Sequence, residues 1–200
     1  KMGKSMLAEN LGLAVARGGK ALGVMEVEQA QVLYLALEDN QRRMKFRMVT
    51  MQGSSSPTNH IHYAFHWPRA DQGGLEQLGN WLKDHAGTKL VIVDTFARIR
   101  SRGGSPGSPY DRDYNDVSAF KKISDENGVA IVLVHHLRKA ASDDCLDLVT
   151  GTTGLTGAAD TVIVLRRERM SADASLFISG RDIEEKDLAE SKYNLLGFFG

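Results

Sequence analysis

Cysteine and long apolar runs are the two features that this 200-residue sequence most clearly lacks. Its single cysteine, Cys145, excludes an internal disulfide and a cysteine-rich zinc site, and it fits a reducing compartment. No apolar run approaches the roughly 18 residues that a membrane-spanning helix needs, and no signal peptide is visible. These shortages predict a cytoplasmic enzyme or binding module that has no membrane partner.

An excess of charge of one sign is also missing. Lysine and arginine together number 25, and aspartate and glutamate together also number 25. The chain therefore has no global basic field, and any contact with nucleic acid must come from local patches. A length of 200 residues with 42% hydrophobic residues suits one globular domain with a full-sized core.

Apolar runs alternate with amphipathic segments over the first 136 residues. The runs at 32–39, 89–96 and 129–136 are almost continuously apolar and end in polar residues, which is typical of strands buried on both faces. Segment 60–67 also resembles a strand. The segments between the runs have the character of helices, at 5–16, 41–51, 75–86 and 114–128. The pattern predicts an α/β fold with a mostly parallel central sheet and helices on both faces.

The helical pattern stops after residue 150. Three short strand-like segments follow, at 160–168, 174–182 and 192–199, and their short connections predict antiparallel C-terminal strands. Two polar segments rich in glycine and serine, 100–114 and 138–157, come directly after buried strands. Ligands of open parallel sheets bind at the carboxyl ends of the strands, so both segments are expected at the ligand-binding edge.

The N-terminal sequence Met2-Gly3-Lys4-Ser5 matches the end of the phosphate-binding loop pattern G-x-x-x-x-G-K-S/T. The first glycine of that pattern and the strand before it would lie upstream of Lys1. At the start of a helix, backbone N–H groups and the helix dipole favour phosphate. In this interpretation Lys4 contacts the β- and γ-phosphates of ATP and Ser5 holds Mg²⁺. The alternative is a surface turn with a solvated lysine.

Acidic residues end two of the buried strands. Asp94 ends the strand "LVIVD", where a carboxylate can orient the shell of a magnesium ion or, alternatively, cap the next turn. The next residue is Thr95 rather than a second acid, so the group that activates water must come from elsewhere. Glu38 is the favoured candidate. Asp39 remains an alternative that could instead cap the following helix, and a purely structural role for both acids stays open.

Two histidines, His135 and His136, follow the third buried strand. Adjacent residues of a strand point to opposite faces, so this pair does not chelate one ion easily. No carboxylate completes a usual set of metal ligands. The pair is better interpreted as one polar sensor directed at the nucleotide and one packed side chain.

Taken together, these motifs resemble those of the RecA-like ATPases, and most closely the RepA-type branch related to plasmid hexameric replicative helicases. The resemblance rests on segments that occur in order along nearly the whole chain: "KMGKS", "VLYLALEDN", "FHWPRADQGGLEQL", "LVIVDTFARIR", "VLVHHLRK", "TGTTGLTGAADTVIVLRRE" and "ISGRD". It implies a phosphate-loop pair of Lys4 and Ser5, a water-activating Glu38, an Mg²⁺-linked Asp94 and a γ-phosphate sensor at His136.

The resemblance also implies an architecture and partners. Residues 1–200 should form a single RecA-like ATPase domain, which lacks the strand and first glycine before the phosphate loop. Such domains assemble into homo-oligomeric rings, and here loops 98–114 and 138–157 would line a channel and contact single-stranded DNA. No DNA-binding or primase-like extra domain is present in the sequence, so the resemblance does not extend to helicase activity of this chain alone.

In RecA-like rings an arginine finger comes from a late strand hairpin, and here Arg181 in "FISGRD" has that kind of position. Arg166 and Arg167 are the reserve candidates. The alternative for Arg181 is a surface pair with Asp182 or Glu184.

The combined interpretation is a Mg²⁺-dependent ATPase that acts with DNA as the ring motor of a plasmid, phage or mobile element. A P-loop kinase is one rival, but its lid could only be 138–157, which holds three aspartates against Arg138 and Lys139. A non-catalytic module that binds nucleotide or DNA and switches a partner is the second rival, and Glu38 argues against it.

Overall fold

The computed structural model describes residues 3–23, 25–52, 58–102, 109–136, 153–166, 174–181 and 183–187. The chain divides into two compact units. The first includes Lys4–Gly103 and Lys122–His135, and the second includes Lys1–Gly3, Gly104–Lys121 and His136–Phe199.

The first unit contains a parallel sheet with helices on its faces. Its helices are α1 (Lys4–Arg17), α2 (Gln41–Gln52), α3 (Gly74–Asp84), the short α4 (Phe96–Ile99) and a 3₁₀ turn at Ala70–Gln72. Its strands are β1 (Gly19–Ala21), β2 (Met25–Val27), β3 (Gln31–Ala36), β4 (Ile61–Ala64), β5 (Thr88–Asp94) and β6 (Ala130–Val134). Helix α5 (Pro109–Asn127) has its first part in the second unit and its last turns in this one.

Four of these strands form the central sheet in the order β4-β3-β5-β6, and every pair is parallel. The register places Ala36 of β3 opposite Asp94 of β5, and Asp94 opposite Val134 of β6. The carboxyl ends of the three strands therefore meet at one edge of the sheet. That edge is where an open parallel sheet binds its ligands.

The core explains why β3 and β5 are so apolar. Both strands are covered on their two faces, so β3 from Val32 to Ala36 is almost completely buried. Helix α1 lies close to the sheet at Gly12, where a Cβ atom would come within 3.1 Å of Ile92 Cδ1. The cluster between α1, α2 and the sheet contains Ala8, Ala16, Val32, Tyr34, Ala36, Met44, Leu90, Ile92 and Val134. This packing fixes the position of α1, whose first residues carry the phosphate-loop motif.

The second unit contains an antiparallel sheet of three strands in the order β7-β8-β9. Its elements are α6 (Thr153–Ala158), β7 (Thr161–Arg166), β8 (Ser175–Gly180) and β9 (Ile183–Asp187). Helix α6 packs closely on the start of α5, because a Cβ atom at Gly154 would lie 2.4 Å from the Tyr110 carbonyl oxygen. The antiparallel C-terminal extension is thus confirmed for β7 and β8, whereas the predicted strand at 192–199 lies outside the described residues.

The predicted fold class is confirmed: a parallel sheet flanked by helices, followed by antiparallel strands. Several smaller elements were not predicted, namely the β1–β2 hairpin, α4, α6 and β9. The hairpin strands are short and mostly exposed, so they lack the apolar runs on which the prediction relied. Within the described residues, no helix is long and apolar enough to span a membrane.

Candidate nucleotide site

The motif Gly3-Lys4-Ser5 lies at the start of α1, where free backbone N–H groups favour an anion. Gly3 has a φ of 83°, in the left-handed region that favours glycine. Burial lowers the pKa of Lys4, and attraction by the Asp94 carboxylate partly offsets that effect. The Lys4 ammonium is therefore a partly desolvated cation at the helix start, which suits it to a phosphate group.

Asp94 ends β5 and is held by a tyrosine that the sequence analysis did not single out. The Tyr34 hydroxyl on β3 donates a hydrogen bond to Asp94 Oδ2 at 3.0 Å, and it also lies 3.5 Å from the Ser5 carbonyl oxygen. Burial, together with the negative charge of Asp94, raises the pKa of Tyr34 well above its usual value. Tyr34 therefore stays protonated and remains a donor. The sequence feature that could have indicated Tyr34 is its hydroxyl group, because the rest of the run "VLYLA" is apolar.

The oxygen atoms near this edge of the sheet fit a magnesium–nucleotide complex. The Thr95 side chain is buried, and its Oγ1 atom has no hydrogen-bond partner in the protein. This hydroxyl, next to Asp94, could pair with a water molecule bound to a cation there. Among the described residues, no group of three or more His, Cys, Asp or Glu side chains could hold a metal. An ion between Ser5 and Asp94 would therefore take its other ligands from phosphate and water, as Mg²⁺ usually does.

Glu38 lies in the turn after β3 and is 36% exposed. Its Oε1 atom is 3.3 Å from Nε of Arg98, a residue of α4. Arg98 was predicted to belong to a DNA-contacting loop, and its contact with Glu38 was not predicted. The two side chains come together because β3 and β5 are neighbours in the sheet, so the segments that follow them start side by side.

The alternative that Asp39 caps the following helix is wrong. Asn40 takes that position, because its Oδ1 atom accepts a hydrogen bond from the Arg43 N–H at 2.9 Å. The Asp39 carboxylate instead pairs with two arginines of α2, Arg43 at 3.2 Å and Arg47 at 2.6 Å. Glu38 is also ion-paired, but with one arginine and at 36% exposure, whereas Asp39 pairs with two arginines and is only 10% exposed. Glu38 is therefore the more accessible of the two acids and the better candidate for a base.

The two histidines have different surroundings. The His135 ring is half-buried and lies edge-on to Phe96, with 6.2 Å between the ring centroids. His136 follows it and is exposed. This difference agrees with one packed and one accessible histidine, and the role of His136 as a γ-phosphate sensor stays a prediction.

Arg181 lies in the second unit, where its side chain is 58% exposed. Its Nη2 atom donates to the Gly157 carbonyl oxygen at 3.1 Å, and Nη1 lies 3.8 Å from Asp160 Oδ1. Of the reserve candidates, Arg166 is partly buried, with Nε and Nη2 lacking hydrogen-bond partners, and Arg167 lies outside the described residues. The finger role of each arginine stays a prediction.

The two candidate DNA loops are described only in part. The start of the first is held by hydrogen bonds, from Arg69 Nη1 to the Arg100 carbonyl oxygen at 2.9 Å and from the Arg102 N–H to Asp71 Oδ2 at 3.0 Å. Residues 103–108 and 138–152 lie outside the described residues. In the second loop, the part that is described forms the start of α6.

The profile of the AAA domain family matches residues 1–142, which is more than two thirds of the chain. The chain belongs to the AAA domain family. No match was found among curated proteins. Membership of this family makes the chain an AAA-type P-loop ATPase, so a nucleotide is its expected ligand.

Two solved structures share the fold of this AAA domain. A KaiC-like protein from the hyperthermophilic archaeon Pyrococcus horikoshii is 14% identical with a TM-score of 0.56, and the match covers 93% of this chain and 78% of that protein. A DnaB-like replicative helicase, solved for its interactions with primase, is 15% identical with a TM-score of 0.67. That match covers 97% of this chain and 55% of the helicase chain, so the AAA domain spans about half of the helicase. At these identities the likeness is one of fold, and the fold is RecA-like.

Proposed function

We propose that this AAA domain is a Mg²⁺-dependent ATPase that works as a ring motor on DNA, of the RepA type related to hexameric replicative helicases. It would serve the replication of a plasmid, phage or mobile element. The observation that carries the ATPase part is the pair of Tyr34 contacts, which joins Asp94 at the end of β5 to Ser5 at the start of α1. The two residues that would share the magnesium ion are thereby held at the same edge of the sheet.

In this proposal each residue of the site has a separate task. The triphosphate lies against Gly3 and the start of α1, and Lys4 contacts the β- and γ-phosphates. Ser5 and Asp94 would hold Mg²⁺, which would neutralise charge on the phosphate oxygens. Glu38 accepts a proton from a water molecule whose oxygen attacks the γ-phosphorus. The bond from that phosphorus to the bridging oxygen breaks, and ADP leaves.

The sensor and the finger complete the proposed chemistry. His136, which follows β6, would contact the γ-phosphate and report whether it is present. Arg181 would reach the site of a neighbouring subunit and stabilise charge in the transition state, as arginine fingers do in related NTPases. Because Arg181 is more than half exposed, its weak pair with Asp160 offers little resistance to such a move.

The DNA part of the proposal rests on positive charge that follows the site in sequence. Arg98, Arg100 and Arg102 alternate directly after β5, and Arg138 with Lys139 follow β6. Loops 98–114 and 138–157 would line the channel of the ring and contact the phosphates of single-stranded DNA. The DnaB-like replicative helicase that shares the fold supports this part, because that protein acts in replication.

ATP hydrolysis measured with and without single-stranded DNA tests the proposed activity. Lys4→Ala removes the cation from the start of α1, so turnover or ATP affinity should collapse while the fold survives. Lys20→Ala is the matched control, since Lys20 is an exposed lysine on β1 that pairs only loosely with Glu26 at 3.6 Å. Equal turnover in the Lys4→Ala variant and the control would contradict the phosphate-loop assignment.

Salt dependence tests the DNA contact. Binding through phosphates releases counterions, so affinity for single-stranded DNA should fall steeply with salt concentration. Charge reversal at Arg100 and Arg102 should weaken the binding of single-stranded DNA and make its affinity less dependent on salt concentration. Lys122→Glu, at an exposed position of α5, should change neither. Binding that ignores salt, or that survives the double reversal unchanged, would contradict the channel assignment.

A further inference from the structure

A glutamate on α1 has no task in the proposed chemistry, yet its side chain is completely buried. Glu9 lies four residues after Ser5, on the helix that begins with the phosphate-loop motif. Its partner is Arg47 of α2, whose Nε atom is 3.0 Å from Glu9 Oε2. A charged residue is almost never fully buried unless it is paired, so this contact accounts for the presence of Glu9 in the core.

The same guanidinium group also holds the residue next to the proposed base. Arg47 Nη2 lies 2.6 Å from Asp39 Oδ2, and Asp39 directly follows Glu38. One guanidinium therefore joins α1 to the turn that carries Glu38. The contact with Glu9 is an ion pair by distance, since Arg47 Nε and both Glu9 carboxylate oxygens have no hydrogen-bond partner within the protein. A planar guanidinium can nevertheless meet two carboxylates at once.

The buried contacts of Arg47 with Glu9 and Asp39 are not explained by a gain in the stability of the fold. Buried ion pairs are costly to desolvate, and apolar residues of similar volume often replace them with no loss of stability. What such a pair does supply is a defined geometry. A defined geometry matters for Glu38, because this residue lies in the turn after a strand. Its side chain is about one-third exposed, so the packing around it restrains it only weakly.

We propose that Arg47 is a positioning residue for ATP hydrolysis: it ties Asp39 to Glu9 and thereby holds Glu38 at a fixed distance from the phosphate-binding start of α1. The inference rests on the proposed function, in which Glu38 is the base. Arg47 itself contacts neither nucleotide nor water in this scheme. Its loss should therefore slow the chemical step and leave ATP binding intact.

The first experiment compares two arginines of α2 in the full chain. Arg47→Met should lower kcat on the order of tenfold or more, because a displaced base loses much of its effect, while the Kd for ATP changes less than about twofold. Arg43→Met is the matched control: Arg43 contacts Asp39 at 3.2 Å but is half-exposed, and the ion pair of Glu9 is with Arg47 instead. Its kcat should stay within about twofold of the wild type, the cost of a surface ion pair. Equal kcat in Arg47→Met and the wild type would overturn the inference.

A control for folding is needed, because Arg47→Met leaves the Glu9 carboxylate buried without its partner and could destabilise the protein. The double variant Glu9→Gln/Arg47→Met removes both charges and should unfold at a temperature close to that of the wild type. Its kcat should still be low, since Asp39 is no longer tied to α1. Full activity of this double variant would overturn the inference, whatever the single variant does.

A double-mutant cycle with Glu38→Gln separates positioning from a general structural effect. If Arg47 acts through Glu38, Arg47→Met should cause no further loss of single-turnover rate in the Glu38→Gln background. A full additional loss there would overturn the inference and leave the role of Glu38 untouched. Normal turnover of Glu38→Gln alone would instead contradict the proposed function, so the two failures are distinguishable.

Discussion

Arg98 Nε lies 3.3 Å from Glu38 Oε1, so the carboxylate proposed to activate water is paired with an arginine of α4. A carboxylate beside a positive charge is a weaker base than a free one. Arg98→Ala should therefore raise the ATPase rate measured without DNA, by about 1.5- to 5-fold, the equivalent of an exposed ion pair.

The control for this prediction is Arg102→Ala, which removes a cation from the same segment and leaves the Arg98–Glu38 ion pair in place. Its rate without DNA should stay at the wild-type level. The interpretation of the Arg98–Glu38 contact would be wrong if both variants changed the rate equally, or if Arg98→Ala lowered it.

Tyr34→Phe tests how Asp94 is held. The change removes the hydroxyl that donates to Asp94 Oδ2 and leaves the buried ring in place. Groups that orient a metal ligand commonly contribute about tenfold or more to metal affinity or activity, so the Mg²⁺ concentration for half-maximal hydrolysis should rise by a similar factor.

Tyr63→Phe provides the control. Tyr63 packs beside Tyr34 with 5.5 Å between the ring centroids, but its hydroxyl contacts the Met48 sulfur atom instead of Asp94. The magnesium dependence of Tyr63→Phe should match that of the wild type. If Tyr34→Phe left the magnesium dependence of hydrolysis unchanged, the hydrogen bond from Tyr34 would not be needed to orient Asp94.

Glu9 makes stability depend on pH. Burial raises its pKa to about 7 from a value of 4.5, outweighing the opposite effect of Arg47. The folded chain then binds more protons than the unfolded chain between these pH values, so stability falls as pH rises. The contribution is complete below about pH 4.5, is lost above about pH 7, and is at most on the order of 3 kcal/mol.

The measurement is the free energy of unfolding by urea at about pH 5 and about pH 8, for the wild type and for Glu9→Gln. The other acids titrate in the same way in both proteins. The difference between the two proteins in how the free energy of unfolding changes with pH therefore gives the contribution of Glu9. The wild type should lose stability relative to the variant as pH rises. Parallel curves would mean that Glu9 keeps an ordinary pKa in the fold.

Mixing two inactive proteins tests Arg181 as a finger in trans. Arg181→Ala lacks the finger and Lys4→Ala lacks the phosphate contact, so neither should hydrolyse ATP alone. In a mixed ring, some sites combine an intact Lys4 with an intact Arg181 from a neighbour, and activity should partly return. Full activity of Arg181→Ala, or no recovery on mixing where rings form, would exclude this role.

The sheet was predictable because burial on both faces leaves a direct trace in the sequence. Strands β3 and β5 are almost continuously apolar. Strand β5 ends in Asp94, and Glu38 lies two residues after the end of β3, so both the sheet and Asp94 could be located. The antiparallel strands β7 and β8 were found from their short connections. The β1–β2 hairpin left no such trace, because its strands are short and mostly exposed.

The contacts between charged side chains were not predictable in the same way. Glu9 and Arg47 lie on different helices, and in the sequence each resembles an ordinary solvated position of an amphipathic helix. Only the packing of α1 against β3 and α2 brings them together in the interior. The Arg98–Glu38 pair likewise depends on β3 and β5 being neighbours, which is a property of sheet order and not of local sequence.

The most direct test of the account is ATP binding and hydrolysis by Glu38→Gln. Glutamine keeps the size of the side chain and one acceptor oxygen, but it carries no charge and cannot accept a proton from water. ATP affinity should stay close to that of the wild type, and hydrolysis should be at least about a hundredfold slower, the usual contribution of a general base. Turnover at the wild-type rate would contradict the role of Glu38 as the base and assign the activation of water to Asp39 or to another group.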